Sequence, residues 1–143
     1  MSWLERTELL IKEQGIEKLQ QSQVLIVGLG GVGAFAAEFI VRAGVGNLTI
    51  VDGDIVSETN INRQLPALHN TIGKAKTEVM AERLKNINPS LQLTIITEFL
   101  TPERAWDIIT PTYDYVIDCI DTISPKLNLI RSAKRKRVKL ISC

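Results

Sequence analysis

Side chains that ligate zinc or form covalent intermediates are scarce in this chain: its 143 residues include one histidine, His69, and two cysteines, Cys119 and Cys143. The cysteines stand apart rather than in CxxC pairs, which excludes a zinc ribbon and a disulfide framework. Both lie in apolar runs and read as buried thiols that do no chemistry. His69, in the polar stretch PALHN, has no second ligand nearby and reads as a surface or capping residue. Neither sign of charge is in excess: 17 lysines and arginines stand against 16 acidic residues, a net +1. There is therefore no global pull toward nucleic acid or a membrane surface. No apolar run approaches the roughly 20 residues of a spanning helix. The start, MSWLERTELL, carries charge where a secretory signal is apolar. No integral membrane segment is expected, and the chain reads as cytoplasmic.

At 45% hydrophobic and 23% charged, the composition is that of one globular domain with its own core. Residues 1–22 read as an N-terminal helical segment, with Leu9, Leu10, Ile16 and Leu19 at near-helical intervals in two short helices interrupted at Gly15. Residues 23–143 alternate apolar runs with amphipathic ones. QVLIVG (23–28) is a branched run of the kind found in strands buried on both faces. NLTIVD (47–52), LQLTIITEFL (91–100), YVIDCID (115–121) and VKLISC (138–143) follow as strands two to five. Between them the spacing predicts a helix ending at Gly44, one over 74–86 closed by Asn88-Pro89, one from Thr101-Pro102 to about Ile109, and one from a cap at Ser124-Pro125 to about Arg137. This alternation predicts a Rossmann-like, doubly wound α/β fold, a mainly parallel sheet with helices on both faces. A sheet of this type seldom stops in a strand, so the chain is expected to be the N-terminal part of a longer enzyme.

GLGGVG stands between the first strand and its helix, the setting in which backbone N–H groups and a helix N-terminus bind phosphate. Four glycines, Gly28, Gly30, Gly31 and Gly33, cost more backbone entropy than a plain turn requires. Asp52 ends the second strand, where a carboxylate can accept the ribose hydroxyls of an adenosine. To this point NAD and ATP fit equally well. The loop that follows is too long for a simple connection and presents Asn60, Asn62, Arg63 and Gln64 in NINRQ, then Lys74 and Lys76 in GKAK. An arginine fork and a lysine ammonium suit a triphosphate and departing pyrophosphate better than a nicotinamide. Asp121, just past the fourth strand, is placed to hold Mg²⁺. Taken singly, each of these is more often a solvated surface group; their ordered set carries the reading.

With GLGGVG, VGNLTIVDGD, NINRQ, GKAK and DCID in this order and spacing, the sequence resembles, over nearly its whole length, the ThiF/MoeB/HesA family of ATP-dependent adenylating enzymes, which includes activators of ubiquitin-like proteins. The resemblance implies that Asp52 holds the ribose and that Arg63 and Lys76 contact the ATP phosphates. It implies that Asp121 lies near Mg²⁺ and the α-phosphate, and that Asn60 and Gln64 line the same pocket. Family members are typically homodimers in which an arginine near the N-terminus reaches the neighbour's ATP, and Arg6 matches that position.

RTELLIKEQGIEKL, TEFLTPE and IDTISPK are similar to one branch of that family, the dehydratases of threonylcarbamoyladenosine in tRNA. That similarity implies a tRNA substrate whose carboxylate is adenylated, after which ring closure expels AMP and water is lost overall. The alternative is adenylation of the C-terminus of a ubiquitin-like or sulfur-carrier protein, with sulfur transfer. Many relatives acting on small proteins have Asp-Asn where this chain has Asp121-Thr122, and neither cysteine looks like an acceptor in a flexible segment. NAD-dependent redox chemistry would need a nicotinamide pocket that nothing marks, and a non-catalytic nucleotide sensor is the remaining class. The run Lys134 to Arg137, with Arg131 and Lys139, reads either as contacts to tRNA phosphates or as a solvated helix end that offsets the dipole.

Overall fold

The computed structural model describes residues 2–143. Its strands are β1 (Gln23–Val27), β2 (Asn47–Val51), β3 (Gln92–Ile96), β4 (Tyr115–Asp118) and β5 (Leu140–Ser142). Its helices are α1 (Glu5–Gln21), α2 (Gly33–Ala43), α3 (Lys76–Ile87), α4 (Pro102–Ile108) and α5 (Ile123–Lys136). The strands form one sheet in the order β3-β2-β1-β4-β5, and every pairing is parallel. Successive strand side chains point to opposite faces, so β1 serves two cores. Val24 and Ile26 join Ala34, Ala37 and Val41 of α2 and Met80 and Leu84 of α3 on one face. Leu25 and Val27 join Ala105 and Ile108 of α4 and Leu129 and Ala133 of α5 on the other. Each fully buried Leu or Ile contributes about 1.5–3 kcal/mol relative to exposure, and both faces of the central strand gain it.

The helices form where an apolar stripe and an end signal coincide. In α2 the stripe is Ala34, Ala37 and Val41, and Gly44 ends the helix at φ 108°, a left-handed conformation that glycine takes without strain. In α4 the Thr101 hydroxyl accepts the Arg104 N–H at 3.1 Å and Pro102 occupies the first turn, as the sequence predicts.

Several local expectations change. The N-terminal helices break at Lys12 (φ 64°) and not at Gly15. A Cβ on Gly15 would lie 2.7 Å from the Ile11 Cβ, so this glycine admits the side chain folded back by the turn at Lys12. Helix α3 starts at Lys76, two residues later than predicted, because Asp54 and Val56 carbonyls take the Lys76 and Gly73 N–H groups and Val56 N–H bonds the Lys74 carbonyl. Thr122, not Ser124, is the residue before α5. Cys143 is exposed past the edge strand β5, contrary to the buried-thiol reading, whereas Cys119 is half-buried. No helix among the described residues is long and apolar enough to cross a membrane.

Candidate functional site

The strand order places β2 on one side of β1 and β4 on the other, so the loops leaving their carboxyl ends turn to opposite faces and open a crevice between them. A cleft of about 440 Å³ lies there, lined by Gly28, Gly30, Gly31 and Val32, by Asp52 to Asp54, by Arg63, Gln64 and Lys76, by Glu98 to Leu100, and by Cys119 to Thr122.

Its first wall is made of backbone. Gly28 turns at φ 96°, and a Cβ there would meet the Cys119 carbonyl oxygen at 2.6 Å. A Cβ on Gly33 would fall 1.7 Å from the Gly28 carbonyl oxygen. Only glycine lets the first turn of α2 come this close to the end of β1. Gly33 acts through that packing, since it does not line the cleft. No backbone carbonyl among the described residues accepts the N–H groups of Gly30, Gly31, Val32 or Gly33. Gly30, Gly31 and Val32 line the cleft, so three open donors stand in its wall at a helix N-terminus, an arrangement that suits an anion.

Asp52 braces this wall: Oδ2 accepts the Leu29 N–H at 2.7 Å and Oδ1 the Asp54 N–H at 2.7 Å. Each carboxylate oxygen keeps acceptor capacity for a ligand hydroxyl. The NINRQ segment reaches the cleft by packing over the glycines, with the Gly31 Cβ position 3.6 Å from the Arg63 carbonyl oxygen and the Gly30 position 3.7 Å from Gln64 Nε2. Arg63 Nη1 donates to the Thr59 carbonyl at 3.1 Å and to Asn62 Oδ1 at 3.0 Å, which holds the exposed guanidinium at the mouth. Gln64 Oε1 is buried without a partner. Such an atom has a polar group to gain from a ligand or a water.

Lys76 is buried at the first turn of α3, and its Nζ donates to Asp54 Oδ2 at 2.8 Å. That bond holds the Asp54 carboxyl below its ordinary value, against the opposing effect of burial. An ammonium has three donors, so Lys76 can keep Asp54 and still reach an anion.

The second wall rests on a side-chain network centred on one buried carboxylate. Asp118, fully buried at the end of β4, accepts Lys126 Nζ and, at 2.7 Å, the Ser142 hydroxyl on one oxygen, and the Ile120 N–H at 3.1 Å on the other. Burial, first, and then Cys143 and Asp118 push the Cys119 thiol up to about 12, which leaves it protonated and unreactive at neutral pH. Asp121 is exposed at the rim, with the Thr122 hydroxyl 3.3 Å from its Oδ1. The described residues contain no group of three metal-ligating side chains. One rim carboxylate does suit Mg²⁺, which keeps its waters and takes most protein contacts through a phosphate ligand.

Of the residues singled out from sequence, Gly28, Gly30, Gly31, Asp52, Arg63, Gln64, Lys76 and Asp121 meet in this cleft. Asn60 does not. It is buried, and its Oδ1 accepts the Ser57 N–H at 3.0 Å, closing a 3-10 turn at 58–60 that presents Arg63 and Gln64. Arg6, expected to reach the nucleotide of a second copy, is exposed on α1 and lies outside this chain's own cleft. The sequence reading missed Asp54, the Glu98–Leu100 flank and the Asp118–Lys126–Ser142 network. For Asp54 a signal existed in VDGD, a second carboxylate two residues after the first.

A profile of the ThiF family matches residues 4–143. The tRNA threonylcarbamoyladenosine dehydratase of Haemophilus influenzae is 45% identical over 133 residues, covering 93% of this chain and 51% of that protein. The molybdopterin-synthase adenylyltransferase of the same organism is 40% identical over 128 residues, covering 90% of this chain and 52% of that protein. The crystal structure of the Escherichia coli tRNA N6-threonylcarbamoyladenosine dehydratase in complex with ATP superposes with a TM-score of 0.93 at 40% identity, covering 96% of this chain and 56% of that one. The chain thus spans about half the length of the relatives it matches.

Proposed function

Because the chain belongs to the ThiF family, we propose that its cleft binds ATP and that the full-length protein adenylates a carboxylate, that of threonylcarbamoyladenosine in tRNA. The observation that carries this reading is the convergence of the three open backbone donors of Gly30, Gly31 and Val32 with Arg63 and Lys76 beside Asp52. A nucleotide phosphate chain takes the donors, and Asp52 takes the ribose hydroxyls.

A carboxylate becomes electrophilic once its oxygen is converted into a good leaving group. In the proposed step the substrate carboxylate attacks the α-phosphorus, the bond to the bridging oxygen breaks, and pyrophosphate departs. Ring closure onto the activated carbonyl then expels AMP. Charge builds on phosphate oxygens, so the catalytic groups are fixed positive charges and aligned N–H donors. Arg63 and Lys76 supply the first, and the glycine turn supplies the second. Asp121 would hold Mg²⁺, which neutralises phosphate charge when bound. Arg6 would reach the ATP of a second copy in a homodimer, and the protein would act in the cytoplasm.

The identity to the dehydratases favours tRNA over a small protein as substrate, and IDT in place of Asp-Asn agrees with it. The test uses the full-length protein with ATP, Mg²⁺ and tRNA bearing threonylcarbamoyladenosine. Loss of one water from the nucleoside together with AMP release supports the proposal. AMP release only with a sulfur-carrier or ubiquitin-like protein would transfer the assignment to the second class.

A further inference from the structure

Charge is segregated along this chain in a way the net +1 conceals. All 16 acidic residues lie at or before Asp121, and the 22 residues after it hold seven of the 17 lysines and arginines and no acid. The fold keeps them together. Arg131, Lys134 and Arg135 follow a three-and-four spacing on the exposed side of α5, opposite the buried Leu129, Ser132 and Ala133. Arg137 and Lys139 continue the band beyond the helix onto the amino edge of the sheet, and both are exposed. Among the described residues, none of these five cations has a carboxylate within ion-pair distance, whereas Arg42, Lys76, Arg83, Arg104 and Lys126 are paired.

Two features separate this band from a helix end that merely offsets its dipole. The dipole acts within the last turn, but Arg131 lies before that turn and Lys139 after it. Arg137 takes φ 57°, a conformation that favours glycine, so a charged side chain occupies a position where glycine would be the less strained choice. Lys136 serves the fold instead, since its Nζ closes the end of α4 by donating to the Trp106 carbonyl and, at 2.8 Å, to the Ile109 carbonyl.

The band also contains aromatic rings. Trp106 and Tyr115 are 43% and 41% exposed, and the ammonium groups of Lys136 and Lys139 lie 4.2 and 5.4 Å from their centroids. Half-exposed rings beside cations, Lys139 among them with no carboxylate partner, match a ligand that is at once a polyanion and a stack of planar bases. We propose that this band is a docking surface for RNA, separate from the nucleotide cleft, which lies at the opposite edge of the sheet. The proposal rests on the tRNA reading above and adds the site that holds the body of that substrate. A helix of 14 residues spans about 21 Å, so a folded RNA can lie along α5 from the band to the cleft.

The experiment measures binding of bulk tRNA to the full-length protein by fluorescence anisotropy across a potassium chloride series. Lys134→Glu/Arg135→Glu is compared with wild type and with Lys12→Glu/Lys18→Glu, a control of equal charge change on α1. Arg131→Glu/Lys139→Glu serves as an independent second pair. Thermal unfolding and ATP binding establish that each variant is folded. The expected result is at least a tenfold loss of tRNA affinity in both band variants, with a salt slope shallower by about 1.4–1.8 for two lost phosphate contacts, and little change in the control. Unchanged affinity and slope in both band variants overturn the proposal. So does an equal loss in the control, or a wild-type protein that binds anionic phosphatidylserine vesicles and not tRNA. The adenylation reading fails separately, if wild type releases no AMP from ATP with modified tRNA while these binding differences persist.

Discussion

The two walls of the cleft are built by opposite means. The β1–β2 wall is backbone: glycines bring a helix N-terminus against a strand end, and its donors remain unspent. The β4 wall is side chain: Lys126 and Ser142 spend their polar groups on the buried Asp118 and on one another. A wall that is to grip a ligand keeps its hydrogen-bonding capacity open, and a wall that supports it consumes that capacity internally. Substitutions on the first should therefore act on the ligand, and those on the second on stability.

Gly33→Ala tests the limit of that distinction, because the added methyl has no room beside the Gly28 carbonyl. It should cost about 3 kcal/mol or more of stability in urea denaturation and abolish ATP binding, joining both effects at one residue. Arg63→Ala should separate them. AMP formation falls about 10²–10³-fold, while unfolding changes by less than about 0.5 kcal/mol; full activity would remove Arg63 from the assignment. On the second wall, Lys126→Ala leaves the buried Asp118 carboxylate with only the Ser142 hydroxyl and the Ile120 N–H. Stability should drop by about 2–3 kcal/mol, with ATP affinity measured by calorimetry nearly unchanged under conditions where the variant is folded.

The smallest effect lies behind the first wall. Glu38 of α2 is held below its ordinary 4.5 by Arg83, chiefly, and by Arg42. A depressed carboxyl contributes its stability above the unfolded value and loses it as pH falls through the folded one. Glu38→Gln should therefore cost about 1 kcal/mol at neutral pH, and the gap from wild type should close as the pH drops below 4.5. Parallel denaturation curves with a pH-independent gap would contradict this. Asp54, lowered from 3.8 by Lys76, titrates in the same sense, but half-exposed as it is, it contributes less.

The contrast between walls also explains what could be read before the fold was seen. The parallel α/β order, Gly44 as a helix stop, and the cleft's glycines with Asp52 were legible because each is a local pattern, a few residues wide, with one physical reason. Asp121 was visible for the same reason, as the residue just beyond a strand. The Asp118 network was not, since Ser142 comes within 2.7 Å of it across 24 residues and only once β5 is placed beside β4. Asn60 misled because a buried carboxamide closing a turn and one contacting a ligand have the same surroundings in sequence. The break at Lys12 gave no warning at all, lysine being a poor choice for a left-handed turn.

The pairing of β1 with β4 joins segments that lie far apart along the chain. The Gln23 N–H is bound by the Asp114 carboxylate across 91 residues, and chains are made from the N-terminus. During synthesis β1, β2 and β3 can associate with α2 and α3 while the other edge of β1 stays unpaired. The glycine turn is then present, but the cleft has one side only until the last strands arrive. The cleft is thus completed only by the final quarter of this segment, and a shorter chain has the glycine turn without the second wall.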